Sequence, residues 1–223
     1  MFRQIHRDRP ASLLAVVIRG FFLTGLMAAM IATPAQAENG DPGAAAYVQK
    51  MSDKGYEILN QKDLDPKKKG EAFRGLVKSS FDFERIGMFA LAKHRRQASQ
   101  ADVASFLQVF EDYAISIYES RLGEYSGERL EVTGSTVRRE SDKAKEVIVH
   151  SQVAFADGSP PWPVNWRVFE RNGQYQIVDI QVVGIWMAME QRAQFSSIIA
   201  QEKGGVAALT KILQNHSGAT ADL

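Results

Sequence analysis

Cysteine is absent from all 223 residues, which removes disulfide stapling, thiolate catalysis and cysteine-type zinc sites together. Histidine is scarce. Of the four, His6 precedes a hydrophobic leader and His216 falls among the last residues, so His94 and His150 are the imidazoles left for acid–base work or ligation. Glycines gather into neither a P-loop nor a G-x-G-x-x-G turn, so nothing is built to cradle a nucleotide. A serine nucleophile lacks its elbow, because "GEYSGE" around Ser126 has one residue too many for G-x-S-x-G. Charge of one sign is also missing: 27 Lys and Arg face 26 Asp and Glu. That balance argues against nucleic acid as a partner, since phosphate backbones demand a clear positive excess.

What is present begins with a leader. Arg3, Arg7, Arg9 and Arg19 precede the apolar run "GFFLTGLMAAMIA" from Gly20, and "TPAQA" follows before Glu38. This is the layout of a secretory signal peptide over residues 1–37, with Ala35 and Ala37 placed for cleavage after Ala37. The run falls short of the roughly 20 residues of a membrane span, although retention as an anchor is the alternative. The leader holds four Arg and one Asp, so the chain beyond it carries a net charge of about −2. An exported chain without disulfides suggests a bacterial periplasm. Residues 38–215 read as one domain with its own core, and residues 216–223 as a patternless tail.

Helical periodicity runs from residue 43 to about 122. "AAAYVQKMSDKGYEILN" is amphipathic, Asp65 and Pro66 mark a second helix start, and Ser79 or Asp82 a third. Ser99 with Asp102 reads as the cap of a long helix, along which Val103, Phe106, Phe110, Tyr113 and Ile117 form an apolar stripe. The carboxylates Asp82 and Glu84 are two residues apart, so they do not share a helical face. The basic stretch "KHRRQAS" then sits at a helix C-terminus, where cations meet the negative end of the dipole.

After Gly127 the period falls to two. "RLEVTGSTVRR", "KEVIVHSQVAFA", "PVNWRVFE" and "QYQIVDIQVV" are four candidate strands, the last two joined by a tight turn at Asn172 and Gly173. Val147, Val149, Val153, Phe155, Val164, Trp166, Val168, Val178, Ile180 and Val182 share one face. Glu146, His150, Gln152, Asn165, Arg167, Asp179 and Gln181 share the other. A helix with Ile185, Ala188, Phe195 and Ile199 on a stripe follows, then a Gly204–Gly205 break and a final helix. The sum is an α+β domain: four antiparallel strands with helices on the apolar face and at both ends of the chain.

Several of these strings together resemble a known family. "DFERIGMFALAKHRRQAS" before a Phe-rich helix, "YESRLGEYSGE", "QIVDIQVVGI" and "QRAQFSSII" are similar, in that order, to the periplasmic phospholipid carriers of the Mla pathway (MlaC, or toluene-tolerance, proteins). The likeness spans residues 47–213. A branch of the family is encoded with hopanoid biosynthesis genes, and the chain is compatible with it. Arg95 stands where members usually carry Trp, and Val183 where an acidic residue often precedes the glycine. "PPWP" from Pro160 and "IWMAM" from Ile185 are individual to this chain.

The resemblance implies a curved sheet in a nuclear-transport-factor-like cup, holding acyl chains between sheet and helices. It implies a non-catalytic shuttle of phospholipid or hopanoid between an outer-membrane lipoprotein complex and an inner-membrane ABC permease bearing MCE domains, with no cofactor and no metal. On that reading Phe106, Phe110, Tyr113, Val149, Trp166, Val168, Val178, Ile180 and Met187 line the tail pocket. Arg192, set within an apolar stripe, and Lys93, His94 and Arg95 meet a headgroup or partner, the alternative for Arg192 being an ion pair with Asp179 or Glu190. Two other classes compete: a small acid–base enzyme using His150 and Asp179 with Tyr175 nearby, and a ligand-free interaction module.

Overall fold

A computed structural model describes residues 40–119, 127–155 and 157–221; the leader and the segment around Ser126 lie outside them. Helix α1 (Pro42–Asn60) starts where the Asp41 carboxylate accepts the Ala44 N–H. In α2 (Pro66–Ser80) Asp65 accepts from Lys67 and Lys68, and in α3 (Phe83–Leu91) Asp82 accepts from Arg85. Each satisfies donors that a helix start leaves without partners. Ala92, at a φ of 50°, turns the chain into a 3-10 turn, Ala92–Arg96. Helix α4 (Gln100–Glu119) opens with Ser99 Oγ accepting the Asp102 N–H at 3.0 Å. The last three helix starts in this series are ones the sequence singles out.

Strands β1 (Arg129–Ser141), β2 (Ala144–Ala154), β3 (Trp162–Arg171), β4 (Gln174–Val182) and β5 (Ile185–Trp186) pair antiparallel in chain order. The sheet therefore has five strands where the sequence predicts four. The fifth is two residues long, too short to display a period, and its pairing with Gln181 and Val182 delays α5 (Met187–Gln201) relative to the stripe from Ile185. Helix α6 (Gly205–Ala221) continues through the residues read as a tail.

The β3–β4 hairpin turns at Asn172 and Gly173, both at positive φ, as the sequence predicts. The β4–β5 turn repeats this geometry with Val183 at 48° and Gly184 at 85°. A β-branched residue is strained in the left-handed region, where Asn is tolerated. Val183→Asn is therefore expected to raise stability by about 1 kcal/mol, seen as a higher urea midpoint at unchanged slope. An unchanged midpoint would mean that Val183 carries no strain.

Two apolar cores result. Helix α1 lays Ala44 and Val48 on the sheet, against Leu130, Val147, Val149, Val164, Trp166, Val168 and Ile177. Residues of α3, α4, α5 and α6 build the other, centred on Phe106, Phe110, Phe195 and Leu209. Most of the helices thus pack on one another and meet the sheet chiefly at β4, while α1 covers the apolar face. Phe81, on a one-residue bridge to Ile177, packs against both cores. The outer edge of β1 is closed by side chains of α1: Gln49 bonds the Val132 N–H and the Leu130 carbonyl, and Tyr56 Oη accepts the Leu130 N–H. Such cover keeps an edge strand from pairing with another chain.

Candidate functional site

The register places Val149 opposite Trp166, and Val147 opposite Val168, on the face beneath α1. Trp166 is buried with its indole N–H satisfied: Nε1 donates to Ser151 Oγ at 2.9 Å, and that hydroxyl donates to the Val164 carbonyl. Ser151, a polar residue on the apolar face, escapes a reading by hydrophobicity because its function there is to solve the indole's hydrogen bond.

Val178 does not join them. A register shift between Arg167 and Val168 puts Val168 opposite Ile177, which is fully buried, whereas Val178 is half-buried. A bulge inverts the strict alternation that the sequence invites. Ile180, opposite Trp166, packs half-buried against the sheet core.

The aromatic candidates lie elsewhere. Phe106 and Phe110 are stacked in the helical core with Phe195 edge-on to both, and Tyr113 packs at its margin, where burial raises its hydroxyl pKa above the usual value. Met187, half-buried, opens α5. Seven of the nine candidate pocket residues are therefore divided between two packed clusters, with Phe81 as the link, while Val178 and Met187 belong to neither. Phe195 belongs with them, and its place on the α5 stripe is the signal that marks it in the sequence. Two open surface depressions are present, a polar one around Glu140, Lys143 and Glu170, apart from both clusters, and a mixed one around Ser105, Val109 and Gln214 at the margin of the helical core.

The polar face holds two separate systems. Thr136 Oγ1, His150, Asn165 and Gln181 form a ladder across β1 to β4, with contacts of 3.0, 2.9 and 2.6 Å. One row away, Asp179 is 3 % exposed; its Oδ1 accepts the Ile180 and Ala188 N–H groups at 2.9 Å each, and Oδ2 lies 3.6 Å from Arg167 Nη1. Burial pushes the Asp179 carboxyl above the usual carboxylate pKa, while the two N–H groups and Arg167 pull the other way. Tyr175 instead donates to Asp41. The trio weighed as acid–base machinery is not joined by hydrogen bonds: His150 bridges Thr136 and Asn165, Asp179 accepts from the start of α5, and Tyr175 bonds Asp41 ahead of α1. Among the described residues no group of three His, Asp or Glu is placed to hold a metal ion, and no helix is long and apolar enough to cross a membrane.

Of the basic candidates, Lys93 and Arg95 are exposed on the 3-10 turn, and His94 is half-buried with its Nε2 lacking a hydrogen-bond partner. Arg192 is exposed, with its guanidinium 5.7 Å from the Phe89 ring centroid. It forms neither ion pair weighed for it: Asp179 faces Arg167, and Glu190 accepts from Gln194.

The family model described as "MlaC protein" matches residues 49–215. A solved structure of the phospholipid-binding protein from Ralstonia solanacearum, in complex with a phospholipid, matches with a TM-score of 0.66 at 22% identity, covering 80% of this chain and 98% of that one. At that identity the likeness is one of fold. No curated protein sequence matches significantly.

Proposed function

The chain belongs to the MlaC family, and from that premise we propose that it is a non-enzymatic periplasmic carrier of phospholipid or a hopanoid-type lipid, exported by a leader cleaved after Ala37. One observation carries the reading: two separate apolar cores, one under α1 and one among the helices, meet at a seam marked by Phe81. The Ralstonia protein, with the same fold, was solved holding a phospholipid. Acyl chains parting this seam would lie between Val149, Trp166, Val168 and Ile180 on one side and Phe106, Phe110, Tyr113 and Met187 on the other, with the headgroup left toward Lys93, His94, Arg95 or Arg192.

The energetics favour a carrier that needs docking partners. Each buried methylene contributes about 0.8 kcal/mol, so roughly 30 of them in a diacyl lipid are worth on the order of 20 kcal/mol gross. Cargo held so firmly does not leave into water; it must pass directly to a receiver. An inner-membrane ABC permease with MCE domains and an outer-membrane lipoprotein complex are the proposed donor and acceptor. The close packing of both cores favours the second reading, an interaction module with no ligand.

Native mass spectrometry of the protein recovered from a bacterial periplasm, followed by denaturing extraction, separates the two. A stoichiometric lipid is expected and would name the cargo. A bare polypeptide mass, unchanged after incubation with phospholipid vesicles, would sink the carrier.

A further inference from the structure

The large hydrophobic side chains left exposed among the described residues are Val183, Ile185 and Met189, at 44%, 42% and 52%. All three fall within residues 183–189, at the β4–β5 turn and the first turn of α5. Folding gives no reason for this. Val183 is strained where Asn would not be, and neither Ile185 nor Met189 fills either core. A residue that costs stability and stays in water is accounted for by what it meets.

The surroundings specify the chemistry. Arg192, one helical turn beyond Met189 on the same face, has no carboxylate partner among the described residues and leans over the Phe89 ring. Lys93, Arg95 and Arg96 are exposed at the end of α3, the helix against which α5 packs, and they likewise form no ion pair. Lack of an ion pair is shared among the described residues by Lys54, Lys143 and Arg171, whereas Arg74, Lys78, Arg138 and Lys145 are bonded to carboxylates; what is particular to Arg192 is its place one turn from an exposed apolar side chain.

From this juxtaposition we infer that Val183, Ile185 and Met189, with Arg192 beside them, dock the protein reversibly on a bilayer surface bearing anionic phospholipids. The apolar side chains enter the boundary between headgroups and acyl chains, while the guanidinium, a planar fork of donors, engages lipid phosphate. Apolar side chains set beside a guanidinium without a carboxylate partner match the layered chemistry of an anionic bilayer surface, with phosphate outside and acyl chains within, and on this the membrane is the occupant. The inference is independent of whether lipid is carried inside.

Flotation of the protein with vesicles of phosphatidylcholine, with and without phosphatidylglycerol, tests it, with lipid content measured separately by extraction. Binding is expected with phosphatidylglycerol and is expected to weaken in high salt. Arg192→Gln should weaken it about fivefold, the effect of one cation near an anionic surface, and Met189→Asp more. Val183→Asn should weaken binding while raising the melting temperature, a pair of signs that damage to the fold cannot produce. Absence of flotation, or equal flotation of all variants and of the remote control Lys143→Gln, would overturn the inference. So would capture by vesicles bearing membrane proteins when lipid-only vesicles do not bind, which would assign the surface to a protein partner.

Discussion

Phe106→Ala is expected to lower folding stability by about 3–5 kcal/mol, a large share of the 5–15 kcal/mol that an ordinary domain possesses. The ring is fully buried. It stacks on Phe110 at 5.5 Å and 18°, and meets Phe195 edge-on at 5.7 Å and 89°, so it joins neighbouring turns of α4 to α5. Around it Gly87 of α3 approaches so closely that a Cβ there would press on Leu107 and Phe110. Helices locked this tightly cannot collapse into the gap, and the cavity term adds to the lost transfer energy. Urea denaturation reads the difference. A cost below about 1.5 kcal/mol, the range of well-tolerated core changes, would say that the aromatic cluster has slack. Slack at that point is what a lipid carrier needs, so the size of the loss also weighs on function.

How far the sequence reveals this molecule depends on whether a signal is local. The helix starts at Asp65, Asp82 and Ser99 are legible because the cap and its donors lie within three residues. The Asn172–Gly173 turn is legible because positive φ has its own residue preferences. The β4–β5 turn is not, since Val183 is the wrong residue type for it. Val178 misleads because a bulge depends on the partner strand, and alternation within one strand cannot register it. For the pocket candidates periodicity gives a face and not a neighbour, and at Val178 the bulge changes even the face. That Phe106 lies with Phe195, and Trp166 with Val48, is set by α1 crossing the sheet while the other helices pack on one another. Asp179 is the sharpest case: its place on a polar strand face suggests water, and the start of α5 folds over it instead.

That buried carboxylate carries the second large effect. Asp179→Ala is expected to cost about 3 kcal/mol at neutral pH, the lower end for breaking a buried pair. Arg167 would keep Glu146 at 3.5 Å and the Trp186 ring at 4.4 Å, which tempers the loss. The Ile180 and Ala188 N–H groups, however, would lose their acceptor, and no side chain of Trp186 caps α5 in its place. Asp179→Asn retains an acceptor oxygen and should cost nearer 1 kcal/mol. Its pH dependence decides which force governs the site. Burial, the larger influence, raises the native pKa above the unfolded value, so the folded protein binds this proton more tightly than the unfolded chain does. The group's contribution is then full below about pH 4 and declines as pH rises through the native value. The deficit of Asp179→Asn against the parent should accordingly be greatest in acid and shrink toward neutrality. A deficit that instead grows with pH would mean that Arg167 and the helix N-terminus outweigh burial. In that case Asp179 holds α5 to the sheet as a charge, by attraction to the N–H groups of its first turn.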